Sequence, residues 1–357
     1  MQKIRYVALA IAALSGAASQ AQSNVTVFGL LDLGYLNVRA SGSGSVSSVN
    51  SDGNTSSRFG ARGTEDLGGG LKANFWLEAA VAPDSGVGGS TSTTNKDSVG
   101  SNGLTFGRRS TVGLSGGWGE MRLGRDYVPS FNNLTVAMHP FGTNGVGNAG
   151  QLFYPVNTGG TTVRTHVRAS NSIGYVLPDM GGFNGQIMYA LGEQASNAAG
   201  GTSSDGKHLG FRLGYAAGPL RAALASGKTN YATGDYTQTN FAANYAFGPA
   251  KLMYLWGQNK VGSTKTTSNM LGTQYTVGAG EVRFAYTVLK AEGVANDANQ
   301  WALGYVHNLS KRTALYTNYS QVKNKGTGKQ FVVGGGNGVT DAGGSSSGFE
   351  IGLRHAF

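Results

Sequence analysis

No cysteine occurs in the chain, and no run approaches the roughly eighteen consecutive apolar residues that a membrane-crossing helix requires. The first absence excludes a disulfide framework, and the second excludes helical spans. Proline is scarce at 7 residues, and charged residues make up only 13%. Basic residues do not form runs beyond the pairs Arg108-Arg109 and Lys311-Arg312, so a nucleic-acid partner is not indicated. Acids are absent from Pro129 to Arg168, a stretch that still carries Arg164, Arg168, His139 and His166.

What is present is glycine, at 59 residues of 357, together with 16 Tyr and 15 Phe. Lys3 and Arg5, the apolar run Val7 to Leu14 and the small residues ending Ser19-Gln20-Ala21 have the order of a secretory leader, predicted over 1–21. Residues 22–357 are then the working chain, with 26 basic residues against 18 acidic, a net +8. Export without disulfides, high glycine and abundant aromatics point to extended structure in an outer membrane.

The period is two almost throughout. Leu71, Ala73, Phe75, Leu77 and Ala79 alternate with Lys72, Asn74, Trp76 and Glu78. Leu209 to Tyr215, Val282 to Val288 and Phe349 to Phe357 repeat the pattern, with Gly, Arg and Glu among the residues between. Such alternation gives strands with one apolar and one polar face. Lipid leaves no backbone group unpaired, so strands within it must close. The expected fold is all-β, a closed antiparallel transmembrane barrel of about sixteen strands, starting near Val25, Ser57, Leu71, Thr105, Gly119, Ala169, Gly182, Lys207, Leu220, Gln238, Lys251, Met270, Glu281, Gln300, Arg312 and Gly348. Tight turns such as Phe247-Gly248-Pro249 alternate with long Gly/Ser/Asn-rich loops at 37–56, 80–103, 192–206 and 323–347. Sixteen strands leave a water-filled interior, whereas about eight leave a filled one.

The longest connection, 129–167, is the expected constriction, because a loop of that length is usually functional. Arg58 and Arg62 share one strand face, Arg168 is placed on the face of Ser170 and Ser172, and Arg164 lies in the loop itself. Arg108 and Arg109 are adjacent, so only one reaches the lumen unless a bulge intervenes. Glu78 and Glu120 are acids on the lumen-type face that offset the arginines locally. A guanidinium cluster in a narrow, low-dielectric passage concentrates anions.

Gly113-Leu114-Ser115-Gly116-Gly117 fits a nucleophile elbow, but it runs into another strand and not into a helix. Gly145 to Gly150 fits a dinucleotide fingerprint without the strand and helix that motif needs. The five histidines show no metal-ligand spacing, and no cofactor is indicated. The expected function is a passive channel without catalysis for small anionic and neutral solutes. A specific uptake channel and an adhesin are the other classes considered, and stable ohmic steps in a bilayer separate an open pore from both.

The segments Ser57 to Ala73, Arg108 to Leu114, Gly119 to Asp126, Asn171 to Tyr175 and Gly352 to Phe357 resemble the general porins of Gram-negative, especially β-proteobacterial, outer membranes, most closely their anion-selective members. The resemblance implies a homotrimer of sixteen-stranded barrels seated in outer-membrane lipid, with the third long loop folded inward. It also implies a positive constriction at the matching Arg58, Arg108 and Arg168, with Arg62 a fourth on the Arg58 face. Phe357 matches the terminal signal recognised by the barrel-assembly machinery of such proteins.

Overall fold

Apolar side chains are exposed and polar ones buried, the reverse of a protein that folds in water. Leu209, Phe211 and Leu213 are about half exposed, while Asn240, Ser320 and Glu350 on inward faces are at 2% or less. Each strand therefore offers hydrocarbon to the outside and hydrogen-bonding groups to the inside, as the period of two requires. The computed structural model describes residues 24–89, 103–135, 138–154, 157–158, 161–195, 197, 202–293 and 296–357. The leader read over 1–21 lies outside them.

Sixteen long strands make the wall. They are β1 Asn24–Ala40, β2 Arg58–Gly68, β3 Leu71–Ala82, β4 Arg109–Gly116, β5 Gly119–Tyr127, β6 Arg168–Val176, β7 Phe183–Ala190 and β8 His208–Ala217. The second half comprises β9 Leu220–Thr229, β10 Tyr236–Phe247, β11 Ala250–Val261, β12 Thr264–Val277, β13 Gly280–Glu292, β14 Ala298–Asn308, β15 Thr313–Asn324 and β16 Ser345–Ala356. Each pairs antiparallel with its sequence neighbour, including β5 with β6 across the longest connection. The lower part of β1 pairs with β2 and its upper part with β16, from Leu30↔Ala356 to Ala40↔Ser346, which closes the barrel. Phe357 completes the seam, exchanging two backbone hydrogen bonds of 3.0 Å with Gly29.

The expected closed sixteen-stranded barrel is thus the observed one. Most strand starts fall within two residues of those read from the pattern, and three do not. β4 begins at Arg109 and not near Thr105, β12 begins at Thr264 and not near Met270, and β16 begins at Ser345, three residues before Gly348. Thr264 to Asn269 is polar on both faces, so it carries no hydrophobic period although it pairs fully with β11. The stretch read as a loop over 37–56 also holds structure. β1 continues to Ala40, and Gly44–Ser51 folds back on it as a short ribbon.

Outward aromatics cluster near strand ends. Phe183 and Tyr215 lie 4.7 Å apart and Trp118 stacks on Tyr175 at 6.2 Å, both near the short-turn rim. Phe241 with Tyr254 and Trp301 with Tyr319 form a second level along the strands. Two such levels are the girdles expected where a barrel meets the two water interfaces.

Candidate functional site

The connection between β5 and β6 contains two short helices, α1 Pro129–Thr135 and α2 Gly150–Phe153. It binds to strands far from it in sequence. Asn133 donates to the Ala223 carbonyl (3.0 Å) and to Asn240 (2.7 Å), and Asn240 donates to the Ser130 carbonyl (3.0 Å). Asn259 donates to the Phe153 carbonyl (2.7 Å), and Gln300 to the Val146 and Asn148 carbonyls (3.2 and 3.0 Å). Glu350 accepts from the Val146 N–H (3.1 Å). All these strand residues sit on the face opposite the exposed apolar one.

Between the hydrogen bonds, Val128, Phe131, Leu134, Met138, Phe141 and Phe153 pack with Met188, Met253, Leu255 and Met270 from the strands. The expectation of a wholly polar lumen-type face is corrected here. β11 reads Leu252-Met253-Tyr254-Leu255-Trp256 because its inner residues also meet apolar partners.

Across from this seam, β2, β3, β5 and β6 assemble a basic cluster. Arg108 Nε lies 2.6 Å from Glu78 Oε1, and Arg58 Nη1 is 3.5 Å from the same oxygen. Tyr127, the last residue of β5, accepts from Arg108 Nη2 (2.9 Å) and from Arg168 Nη2 (2.8 Å). The Arg168 guanidinium also lies over the Tyr127 ring at 4.4 Å. Three arginines that are distant in sequence are held together by one carboxylate and one phenol. With Asp52 acting on Arg58 and Arg108, and Arg125 beside Arg168, four guanidiniums face two carboxylates, a local excess of two positive charges. Arg58, Arg108 and Arg168 line a cavity of about 490 Å³ with Asn54, Thr55, Ser56 and Asn144, and none of its lining residues is acidic.

Adjacent to it is a second cavity of about 490 Å³ that takes Arg62, Trp76, Arg109, Glu120 and Arg122. Arg122 holds Glu120 at 2.6 Å and Asp126 at 3.3 Å. Arg62, grouped with Arg58 from the strand face, therefore belongs to the neighbouring cavity. Arg164 stands apart from both, its backbone N–H donating to the Tyr231 hydroxyl at 3.0 Å. Arg108 and Arg109 both turn toward these cavities. The strand begins only at Arg109, so Arg108 precedes the regular alternation that was expected to send one of them outward. Alternation is also interrupted between Ala169 and Ser172 by a β-bulge with Asn171 at φ 57°.

Tyr127, Arg109, Arg122 and Asp126 were not read as site residues. Arg122 and Asp126 share the parity of Glu120 on β5, a signal that was available. Tyr127 carried none, because its role depends on where the chain leaves the strand.

Acids elsewhere on the inner face are also engaged, Glu281 with Arg283 at 2.6 Å and others with backbone. Asp32 accepts from the Asn54 and Thr55 N–H groups (2.9 and 2.6 Å) and from the Tyr316 hydroxyl (2.6 Å). The loop histidines add no charge near neutrality. Burial lowers His139 to about 4. Burial, with Arg168 and Arg164 nearby, lowers His166 to about 4.

Both rings are neutral across the ordinary range of about pH 5 to 8. An unfolded histidine titrates near 6.5, so from there down to about 4 the unfolded chain binds protons that the packed rings refuse. Stability contributed by these rings is full above that window and declines as pH falls through it. The acid-induced drop in thermal midpoint is therefore expected to be smaller in His166→Asn than in the parent, and an equal or larger drop contradicts this.

Comparison with known proteins gives a consistent result. The sequence description of Gram-negative porins matches residues 7–327. Outer membrane porin protein 32 of Delftia acidovorans is 41% identical over 98% of this chain and 99% of its own length. An outer membrane porin protein of Bordetella pertussis is 29% identical over 64% of this chain and 60% of its own. Among solved structures, the anion-selective porin from Comamonas acidovorans superposes with a TM-score of 0.82 at 39% identity, covering 94% of this chain and all of that one.

Proposed function

The chain belongs to the Gram-negative porin family and is an outer-membrane pore for small hydrophilic solutes, and we infer that its pore prefers anions. The observation that carries this reading is the group of Arg58, Arg108 and Arg168, tied by Glu78 and Tyr127, beside a cavity whose lining holds no acid. Low-dielectric walls focus the field of the two uncompensated charges into the passage. Guanidinium N–H groups in that field replace part of an anion's hydration, and the several weak contacts permit release.

Segment 129–167 is the other wall of the constriction in this reading. Its contacts with β7, β9, β10, β11 and β14 keep it across the interior, and its lack of acids leaves the field of the arginines unopposed. The remaining parts of the proposal are a leader over 1–21, a homotrimer, passive diffusion without catalysis, and recognition of Phe357 by the assembly machinery. Inorganic anions, phosphate and small organic acids are the solute class.

Reversal potentials across a planar bilayer in a potassium chloride gradient test the central statement. Stable ohmic steps with a reversal potential of the anion sign are expected. A reversal potential of zero or of cation sign overturns the reading.

A further inference from the structure

Beyond the second aromatic level, toward the long loops, the outer face of β11 to β13 turns basic. On β11 the outward series Leu252, Tyr254 and Trp256 continues to Gln258 and Lys260, while Met253, Leu255, Asn259 and Val261 between them are buried. Lys260 stands directly opposite Lys265 on β12, and Lys265 opposite Glu292 on β13. Two residues nearer the girdle, Gln258, Thr267 and Lys290 form the adjoining row.

We propose that Lys260, Lys265 and Lys290 form a docking surface for the phosphates of an acylated, phosphorylated saccharide, a glycolipid of the outer leaflet. The long loops of an outer-membrane barrel face the outside of the cell, and these lysines lie at that rim on the side away from the lumen.

Charge supports this first. Directly opposed residues have Cβ atoms about 5 Å apart, and like charges placed there oppose pairing. Lys290 is diagonal to Lys265, at about 7–8 Å. Glu292 lies 2.8 Å from Lys265 and Asp297 lies 2.8 Å from Lys290, whereas Lys260 has no ion-pair partner among the described residues. Both pairs are open to solvent, with Glu292 64% and Lys290 65% exposed. Exposed pairs are weak, so all three ammoniums are free to turn to a phosphate. The outward faces of β2, β3 and β4 carry no lysine or arginine, so the basic patch belongs to this side of the wall and not to the rim as a whole.

Height supports it second. Lys260 is four residues beyond Trp256, and Lys290 four beyond Tyr286. That is about 13 Å along a strand and about 10 Å along the membrane normal at the usual tilt. The ammoniums thus stand past the aromatic level, at the layer of polar headgroups. The positions between are Gln258, Thr267 and Asn269, all on the outer face. From the hydrocarbon outward the surface therefore reads aromatic ring, uncharged donor and acceptor, then ammonium. Acyl chain, sugar and phosphate follow in the same order in a glycolipid. Such a partner also gives Thr264 to Asn269 a reason to be polar on its outer face.

Spacing sets the partner class. A glycerophospholipid brings one phosphate to three ammoniums spread over about 5 to 8 Å. A saccharide bearing two phosphates engages them together, through charge-assisted hydrogen bonds, while its hydroxyls meet the amides below.

The test titrates the folded barrel in detergent with a bis-phosphorylated, hexa-acylated glucosamine disaccharide, and native mass spectra report the bound fraction. The parent holds this lipid in a saturating manner, and binds its monophosphorylated form and phosphatidylglycerol at least fivefold more weakly. Lys260→Gln combined with Lys265→Gln raises the dissociation constant at least tenfold, while Lys311→Gln on the short-turn rim leaves it unchanged. Stable ohmic steps in a planar bilayer verify that each variant is folded, and Lys290→Gln stands in if the double variant is not. Equal affinity in the parent and the folded lysine variant overturns the proposal, as does binding that does not saturate. Phosphatidylglycerol binding as tightly as the disaccharide also overturns it, since the patch then serves any anionic lipid.

Discussion

Replacing Arg58 and Arg168 together by alanine is expected to lower the anion-to-cation permeability ratio about tenfold, the equivalent of about 1.4 kcal/mol per monovalent ion. Charge counting gives the reason. Arg58, Arg108, Arg125 and Arg168 against Glu78 and Asp52 leave an excess of two, and the double variant leaves Arg108 and Arg125 against the same two carboxylates, an excess of zero. One unit charge at about 8 Å is worth about 2 kcal/mol at an effective dielectric near 20. Mobile salt in the wet lumen removes part of this, so the observed change is smaller than two such terms. Glu78 is 5% exposed and keeps its Arg108 partner, so the pair is not left as an unbalanced buried charge. The paired replacement Arg58→Lys with Arg168→Lys retains the net charge and is expected to retain most of the selectivity. A reversal potential in Arg58→Ala/Arg168→Ala equal to the parent's removes these residues from the selective step.

How far the sequence disclosed this arrangement differs between the wall and the site. The wall was legible because each strand within the membrane meets two different solvents, and side chains alternate to suit them. Where that constraint ends, so does the signal. Thr264 to Asn269 pairs with β11 in full but is polar on both faces, and therefore shows no period. The inner methionines 188, 253 and 270 were illegible for the opposite reason, since both faces of their strands meet apolar partners.

The site was legible only in pieces. Parity placed Glu78 and Arg58 on inner faces, but the meeting of Arg58, Arg108 and Arg168 depends on the successive pairing of β2 to β6 over more than a hundred residues. It was available only through the resemblance to porins. Tyr127 joins two of the three arginines from the point where β5 gives way to α1, a junction that no local pattern marks.

Removing the carboxylate of Glu350 is expected to loosen the middle of segment 129–167, raising single-channel conductance and open-channel noise. Glu350 is buried on β16 and accepts from the Val146 N–H at 3.1 Å and from Asn318 at 2.7 Å, joining residues 204 positions apart. A hydrogen bond of this kind contributes about 0.5–1.5 kcal/mol, and deleting the acceptor leaves a buried donor unsatisfied at a cost of about 1–3 kcal/mol. The neighbouring backbone shows how close the fit is. Gly145 has φ +67°, and a Cβ there would stand 1.9 Å from the Gly53 carbonyl oxygen and 2.2 Å from Glu350 Oε1. Gly145→Ala therefore pushes the same stretch off the wall by steric means and a strained backbone, without removing any ionisable group. Glu350→Ala and Gly145→Ala should share one phenotype, larger conductance and entry of larger sugars in liposome swelling, while α1 stays seated through Asn133 and Asn240. Shared behaviour assigns the effect to the position of the segment, because only one of the two variants removes an ionisable group. If Glu350→Ala changes ion selectivity alone and Gly145→Ala changes nothing, Glu350 acts through its field and the segment is held by its other contacts.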